Sequence, residues 1–175
     1  MSNSIKAMIR SSVIKRPDGR MEISPSDVHA EPGFNERIEG PELEASIAEL
    51  ADYILAGGIV PALEVRARED GGVWIVDGHR RHRAYLQAIE RGAPIKLIQI
   101  RPFVGNDVDR VARIVSSNPN RPLSPLVVSR VYARLRAYGL TPTEIATRVG
   151  RSRVTVDGAM FLERYIVGSG MSVLL

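Results

Sequence analysis

Hydrophobic positions along the chain change their period near residue 105, and that change divides the sequence. Between residues 40 and 56, Leu43, Ile47, Leu50, Ala51 and Ile54 recur at helical spacing, with Glu42, Glu44, Glu49 and Asp52 mainly on the other side. Gly57-Gly58 ends this helix, as glycine does just past a helix terminus. Ile59 to Arg66 alternates and predicts a strand, Glu69 to Gly72 a turn, and Val73 to Val76 a second strand. Gly78 to Arg91 predicts a second helix with Ala84, Leu86, Ala88 and Ile89 as its apolar positions, and Pro94 to Ile100 another strand. At the front, Pro17-Asp18-Gly19 is a turn between two short stretches of β character. It predicts a small hairpin or a mobile basic arm, since Lys6, Arg10, Lys15, Arg16 and Arg20 face a single acid, Asp18. The first hundred residues therefore read strand, helix, strand, strand, helix, strand.

Beyond residue 105 the period is helical. Val108, Val111, Ala112 and Val115 mark one helix, Pro119, Pro122 and Pro125 crowd a connecting segment, and the rest to about residue 167 reads as helices. The fold class expected is α+β, a small α/β unit followed by an all-α unit. The expected division is a basic arm or hairpin over 1–20, the α/β unit over 21–118 and the helical unit over 119–175, with the boundary near 117–125.

Composition narrows the function. The net charge is +4 and the pI about 9.8, and residues 121 to 164 alone carry eight arginines against three acids. A basic excess concentrated in the helical half makes polyanions the expected partners. The chain has no cysteine, which excludes disulfides, thiolate metal sites and cysteine nucleophiles. No apolar run is long enough to span a bilayer, and Met1 to Arg10 lacks the apolar core of a signal peptide, so the expected location is the cytoplasm, with no membrane partner. Nine aromatic residues in all make a base-stacking surface for single strands less suitable than a duplex-binding one.

Residues 141–156 carry the clearest pattern. Thr141 can cap a helix that has Pro142 at its first position and Glu144 at its third, a capping box. Ala146 is small where two helices would cross, and Gly150 offers the permissive backbone a tight turn needs. Ile145, Val149, Val154 and Val156 supply an apolar seam, and Ser152 can cap the following helix. This is a helix-turn-helix for double-stranded DNA, with Arg153, Thr155 and Asp157 exposed at the start of the second helix, where base edges are read. Arginine suits guanine and threonine a phosphate or a thymine methyl; Arg148 and Arg151 are placed for phosphates. An ordinary helical hairpin with a glycine turn would explain the spacing but not the arginine excess. Gly158 inside the second helix is out of place, since glycine weakens a helix.

Asp77-Gly78-His79-Arg80-Arg81-His82-Arg83-Ala84 follows a strand and opens a helix. A glycine for close backbone approach, a helix N-terminus and several arginines together make an anion-binding loop suited to polyphosphate. His79 and His82 could share a face, but no further ligands at a metal-binding spacing accompany them. No Ser/His/Asp or paired-carboxylate constellation stands out, so no catalytic residue is expected.

These segments resemble the ParB family of partition proteins. Gly78 to Ala84 is similar to that family's Gly-Glu-Arg-Arg-x-Arg-Ala box, Asn35-Glu36-Arg37 to its Gln-Pro-Arg segment, and Gly58-Ile59-Val60-Pro61 to its Gly-Ile-x-Gln-Pro segment with the Gln absent. Ser117-Asn118-Pro119-Asn120-Arg121 resembles its Glu-Asn-x-Gln-Arg box, followed by Leu123-Ser124-Pro125 and then the helix-turn-helix. The resemblance covers residues 22 to 165. It implies a ParB/sulfiredoxin-like N-terminal domain that binds CTP with Mg²⁺, Gly58, Gly78, His79, Arg80 and Arg81 lining the nucleotide and Asn118 and Arg121 close by. It also implies DNA contacts from Thr141, Arg148, Arg151, Ser152, Arg153 and Thr155, a nucleoid-associated homodimer, and a ParA-type ATPase or another protein as partner of the N-terminal arm. His79 and Ser117 stand where the family has glutamates. A histidine cannot do a carboxylate's work on Mg²⁺, so the resemblance implies at most weak CTP hydrolysis. The sequence ends soon after the helix-turn-helix, as in a shortened chain or a short relative of phage or mobile-element type, and no long heptad repeat offers a dimer seam. The rival expectation is an enzyme on the same N-terminal fold, a nucleotide-dependent kinase or a nuclease using Asp77; sulfiredoxin chemistry is excluded because His79 stands where it needs a cysteine.

Overall fold

The computed structural model describes residues 4–34, 40–117 and 123–168, which form two compact units. The first comprises 4–34 and 40–104, the second 105–117 and 123–168.

The first unit is a six-stranded mixed sheet with helices. Its elements are α1 (Ile5–Arg10), β1 (Ile14–Lys15), β2 (Met21–Ile23), β3 (Val28–His29), α2 (Pro41–Leu55), β4 (Leu63–Ala67), β5 (Val73–Asp77), α3 (His79–Glu90) and β6 (Ile98–Pro102). The strand order is β1-β2-β6-β4-β5-β3. β4 pairs antiparallel with β5 and parallel with β6, and β3 joins β5 in parallel. The parallel pairing of β4 with β6 requires a crossover, which α3 supplies. Leu63, Val65, Val73, Ile75, Ile98 and Ile100 are buried with Met8, Ile14 and Ile23 in one cluster; Ile47, Ala51, Ile54, Val60, Ala84 and Ala88 pack α2 and α3 in another. Across the β4/β6 register, the buried carboxylate of Glu64 meets Arg101 at 2.8 Å. An opposed charge of this kind satisfies a group that burial would otherwise penalise.

Several expectations change. The basic segment is the hairpin, with Ile14 opposite Ile23 and the Pro17–Gly19 turn between them, preceded by the short helix α1. Ile14 and Ile23 belong to the sheet's core, so the described residues 4–20 are part of the first unit rather than a separate arm. The strand expected over 59–66 starts only at Leu63, and Ile59 is 84% exposed. Pro61 has no N–H to offer a ladder, and the chain is still leaving the helix at Gly58. The strand expected over 94–100 is displaced to Ile98–Pro102. The second unit begins at residue 105, because its first helix packs with the helices that follow; the prolines at 119–125 interrupt that unit rather than precede it.

That unit contains α4 (Asp107–Ser116), α5 (Pro125–Ala137), α6 (Pro142–Val149) and α7 (Arg153–Gly168). Val111, Val127, Val131, Tyr132, Leu135, Ile145, Val149 and Val156 form its interior. The expected seam residue Val154 is instead 81% exposed. Two positions separate it from Val156, which turns it about 200° away around the helix.

His82 gives the first unit a pH dependence. It is buried on α3, and its Nε2–H donates to the Pro25 carbonyl at 3.2 Å. Burial lowers its pKa from the ordinary 6.5, the Pro25 bond opposes that, and His29 adds to it. The unfolded chain therefore takes up this proton first as pH falls, and stability present above pH 6.5 is lost below it. Urea melts over about pH 5 to 7.5 are expected to show stability rising with pH in the wild type. In His82→Asn that rise should shrink.

Candidate anion and nucleic-acid sites

The arginine box sits at a corner. β5 ends at Asp77 and α3 begins at His79, so one residue must reverse the chain, and Gly78 does it at φ 108°. A Cβ there would lie 2.5 Å from Leu63 Cδ2, so the backbone conformation and the space both require glycine. Gly78 brings no side-chain cap to α3, whereas the starts of α4, α5, α6 and α7 are capped by Asn106, Ser124, Thr141 and Ser152. A long helix start without a side-chain cap, flanked by arginines, offers its dipole end to an anion.

The arginines have different roles. Arg81 donates from Nη1 to the carbonyls of Pro61 and Ala62, both at 2.7 Å, and from Nη2 to Asp77 at 2.8 Å. It thereby ties the segment after α2 to the corner. The sequence placed Arg81 on a phosphate; its partners here are carbonyls 19 and 20 residues upstream. Arg83 pairs with Glu44 of α2 at 2.7 Å. Arg80, half-buried, reaches the Ser46 carbonyl at a long 3.5 Å, the weakest of these contacts. Gly58 closes α2: Gly57 N–H donates to Ile54 and Gly58 N–H to Tyr53, the paired bonds of a left-handed helix end. The Gly58–Pro61 segment and the arginine box, separate in sequence, thus meet. His79 is half-buried at the first position of α3, and His82 turns inward to Pro25. Among the described residues no group of three His, Asp or Glu could hold a metal. Asn118 and Arg121, with Asn35 to Arg37, lie outside the described residues. Ser117 ends α4.

In the second unit Thr141 Oγ1 accepts from Glu144 N–H at 3.3 Å, while the Glu144 carboxylate accepts from Thr141 N–H at 2.7 Å. The Thr141 hydroxyl also donates to that carboxylate at 2.7 Å; this bond first, then the Thr141 N–H and the nearby Arg148, hold the Glu144 carboxyl below its ordinary pKa. Gly150 turns the chain at φ 67°. Ser152 Oγ accepts from Thr155 N–H at 3.2 Å and starts α7. Arg153, Val154, Thr155 and Asp157 are exposed along its first turn and a half. Val154 was hidden from sequence reasoning because a β-branched residue beside a seam looks like part of it. Arg151 is exposed, and Arg148 is engaged by Asp109 of α4, a carboxylate that also closes the Asn106 cap. A cleft lined by Ser116, Thr147, Arg148, Gly150 and Arg151 runs beside this turn. Among the described residues no helix is long and apolar enough to cross a membrane.

Fold and sites together define a class: an α/β unit with an arginine-bearing corner joined to a basic unit with a capped helix pair. Residues 21–103 match the ParB N-terminal domain. The chromosome-partitioning protein Spo0J of Thermus thermophilus is 38% identical over 122 residues, 68% of this chain and 42% of that protein. The probable chromosome 1-partitioning protein ParB of Deinococcus radiodurans is 36% identical over 117 residues, 67% of this chain and 39% of that protein. The chain therefore spans about two fifths of the length of these relatives. The C-terminally truncated chromosome-partitioning protein ParB of Caulobacter crescentus, complexed to the centromeric parS site, superposes with a TM-score of 0.59 at 22% identity, covering 86% of this chain and 79% of that one. By its N-terminal unit, this chain belongs to the ParB family.

The division of labour among the arginines has a measurable consequence. Arg81→Ala leaves two carbonyls and a carboxylate without their donor in a mostly buried setting, and should lower unfolding stability by about 2–3 kcal/mol. Denaturant titration of the variant checks this; a loss below about 0.5 kcal/mol, the range of an unengaged surface substitution, would contradict it.

Proposed function

We propose that this chain is the DNA- and nucleotide-binding part of a ParB-type chromosome-partitioning protein. The observation that carries the reading is the helix pair α6–α7, a helix-turn-helix closed by the Thr141–Glu144 box, turned at Gly150 and restarted by Ser152. It presents Arg153, Val154 and Thr155 where such a motif meets base edges in the major groove. Arg148, Arg151, Thr141 and Ser152 flank these residues and suit phosphate contacts, Arg148 after exchanging Asp109 for DNA. The Caulobacter relative complexed to parS supports a duplex as the ligand.

The nucleotide is assigned to the Gly78 corner. CTP is the ligand that the similarity of Gly78–Ala84 to the family box implies. Arg80 is the arginine to bind the phosphates, with the start of α3 supplying N–H groups, and Arg81 holds the Gly58–Pro61 segment in place. The similarity also implies Asn118 and Arg121, which lie outside the described residues, as nucleotide ligands. Mg²⁺ accompanies the triphosphate through its own oxygens, since His79 offers no hard ligand. DNA loading and nucleotide binding are expected to be coupled, the chain acting as a homodimer with a ParA-type partner. Transcriptional control of nearby genes is a secondary reading of the same DNA binding.

Fluorescence anisotropy on a parS-type duplex and on a scrambled duplex tests the DNA assignment. Arg153→Ala and Thr155→Ala should each weaken specific binding by about 1–3 kcal/mol and leave scrambled-duplex binding nearly unchanged. Arg151→Ala should weaken both and reduce the salt dependence by about one contact's worth. Equal losses on both duplexes for Arg153→Ala and Thr155→Ala would remove the base-reading assignment.

A further inference from the structure

Arg153 does not simply project from α7; side chains of two helices hold it. Its Nε donates to Asp157 Oδ2 at 3.3 Å, one turn later, and its Nη1 donates to Thr143 Oγ1 at 2.9 Å on α6. The pair is well exposed, 59% for Arg153 and 49% for Asp157, and exposed ion pairs contribute little to stability. The fold therefore gains little from this arrangement. Its consequence is orientation: a guanidinium anchored at two of its nitrogens has less rotamer freedom left to lose on binding.

The free donors decide what it is oriented for. With Nε on Asp157 and one Nη1 hydrogen on Thr143, both Nη2 hydrogens and the second Nη1 hydrogen remain. Those supply the two parallel donors that guanine O6 and N7 accept. Asp157 also argues against a phosphate grip, because a carboxylate beside the contact would repel a phosphate and offset the arginine's attraction. A base edge carries no such charge.

We propose that Asp157 and Thr143 are specificity-determining positioning residues, which present Arg153 to a guanine in the major groove of each half-site. The proposal rests on the reading of α6–α7 as the base-reading pair and adds which base is read and what fixes the choice.

Selection from a randomised duplex library with the full chain gives the preferred site, and anisotropy on that duplex, with 7-deazaguanine replacing single guanines, finds the N7 that matters. One position per half-site is expected to require guanine, with 7-deazaguanine costing about tenfold in affinity. Arg153→Ala should bind guanine and 7-deazaguanine there equally. Asp157→Ala and Thr143→Val should each reduce that discrimination several-fold, Thr143→Val without changing binding to a scrambled duplex and Asp157→Ala without weakening it, since the loss of a carboxylate favours phosphates. Asp157→Glu should restore part of the discrimination. Circular dichroism confirms that the variants fold. Full discrimination in Asp157→Ala and Thr143→Val, alongside its loss in Arg153→Ala, overturns the positioning role and leaves base reading standing. A wild-type chain that selects no sequence overturns both.

Discussion

The first unit depends on one constraint, the reversal of the chain at Gly78 between β5 and α3. The left-handed backbone there directs α3 back across the sheet, and the Leu63 side chain fills the space where a Cβ would stand. Arg81 makes the corner cooperative: a single guanidinium joins Asp77 at the end of the strand to the carbonyls of Pro61 and Ala62, just before β4. Two stretches some twenty residues apart, 61–62 and 77–81, are held by a charge-assisted fork, a stronger link than neutral hydrogen bonds provide. The same corner ends in a helix start without a side-chain cap. The geometry that closes the fold therefore also leaves the N–H groups of this helix start open to an anion.

The second unit uses the opposite device at its helix starts. Asn106, Ser124, Thr141 and Ser152 each close a helix with their own side chains, so α4 to α7 are defined by local chemistry. Two of its arginines are paired with side chains that orient them. Asp109 engages Arg148, and Asp157 with Thr143 engages Arg153. Each pairing adds little stability at the surface but sets where positive charge points.

Local chemistry explains what could be read in the sequence. The capping box, the Gly150 turn and the Ser152 restart lie within a dozen residues, and each appears as expected. The Gly57-Gly58 helix end and the Pro17–Gly19 hairpin were legible for the same reason. Long-range consequences were not. The placement of Arg81 on a phosphate missed its carbonyl partners, because nothing in residues 61 and 62 marks them as acceptors. Asp109 and Arg148 are 39 residues apart, and their spacing carries no period. Val154 was misread because apolar character alone does not say which side of a short helix a residue occupies. The boundary was placed at the prolines because they look like a linker, whereas α4 before them shares the second unit's interior.

If the Gly78 corner is a nucleotide site, Arg80 binds the phosphates there while Arg81 builds the corner. Isothermal titration of the full chain with CTP, ATP and GTP in Mg²⁺, with and without a parS-type duplex, measures this directly. Saturable binding selective for CTP, abolished in a folded Arg80→Ala protein, is the predicted result. Unchanged CTP affinity in Arg80→Ala, or no binding of any of the three under either condition, would contradict it.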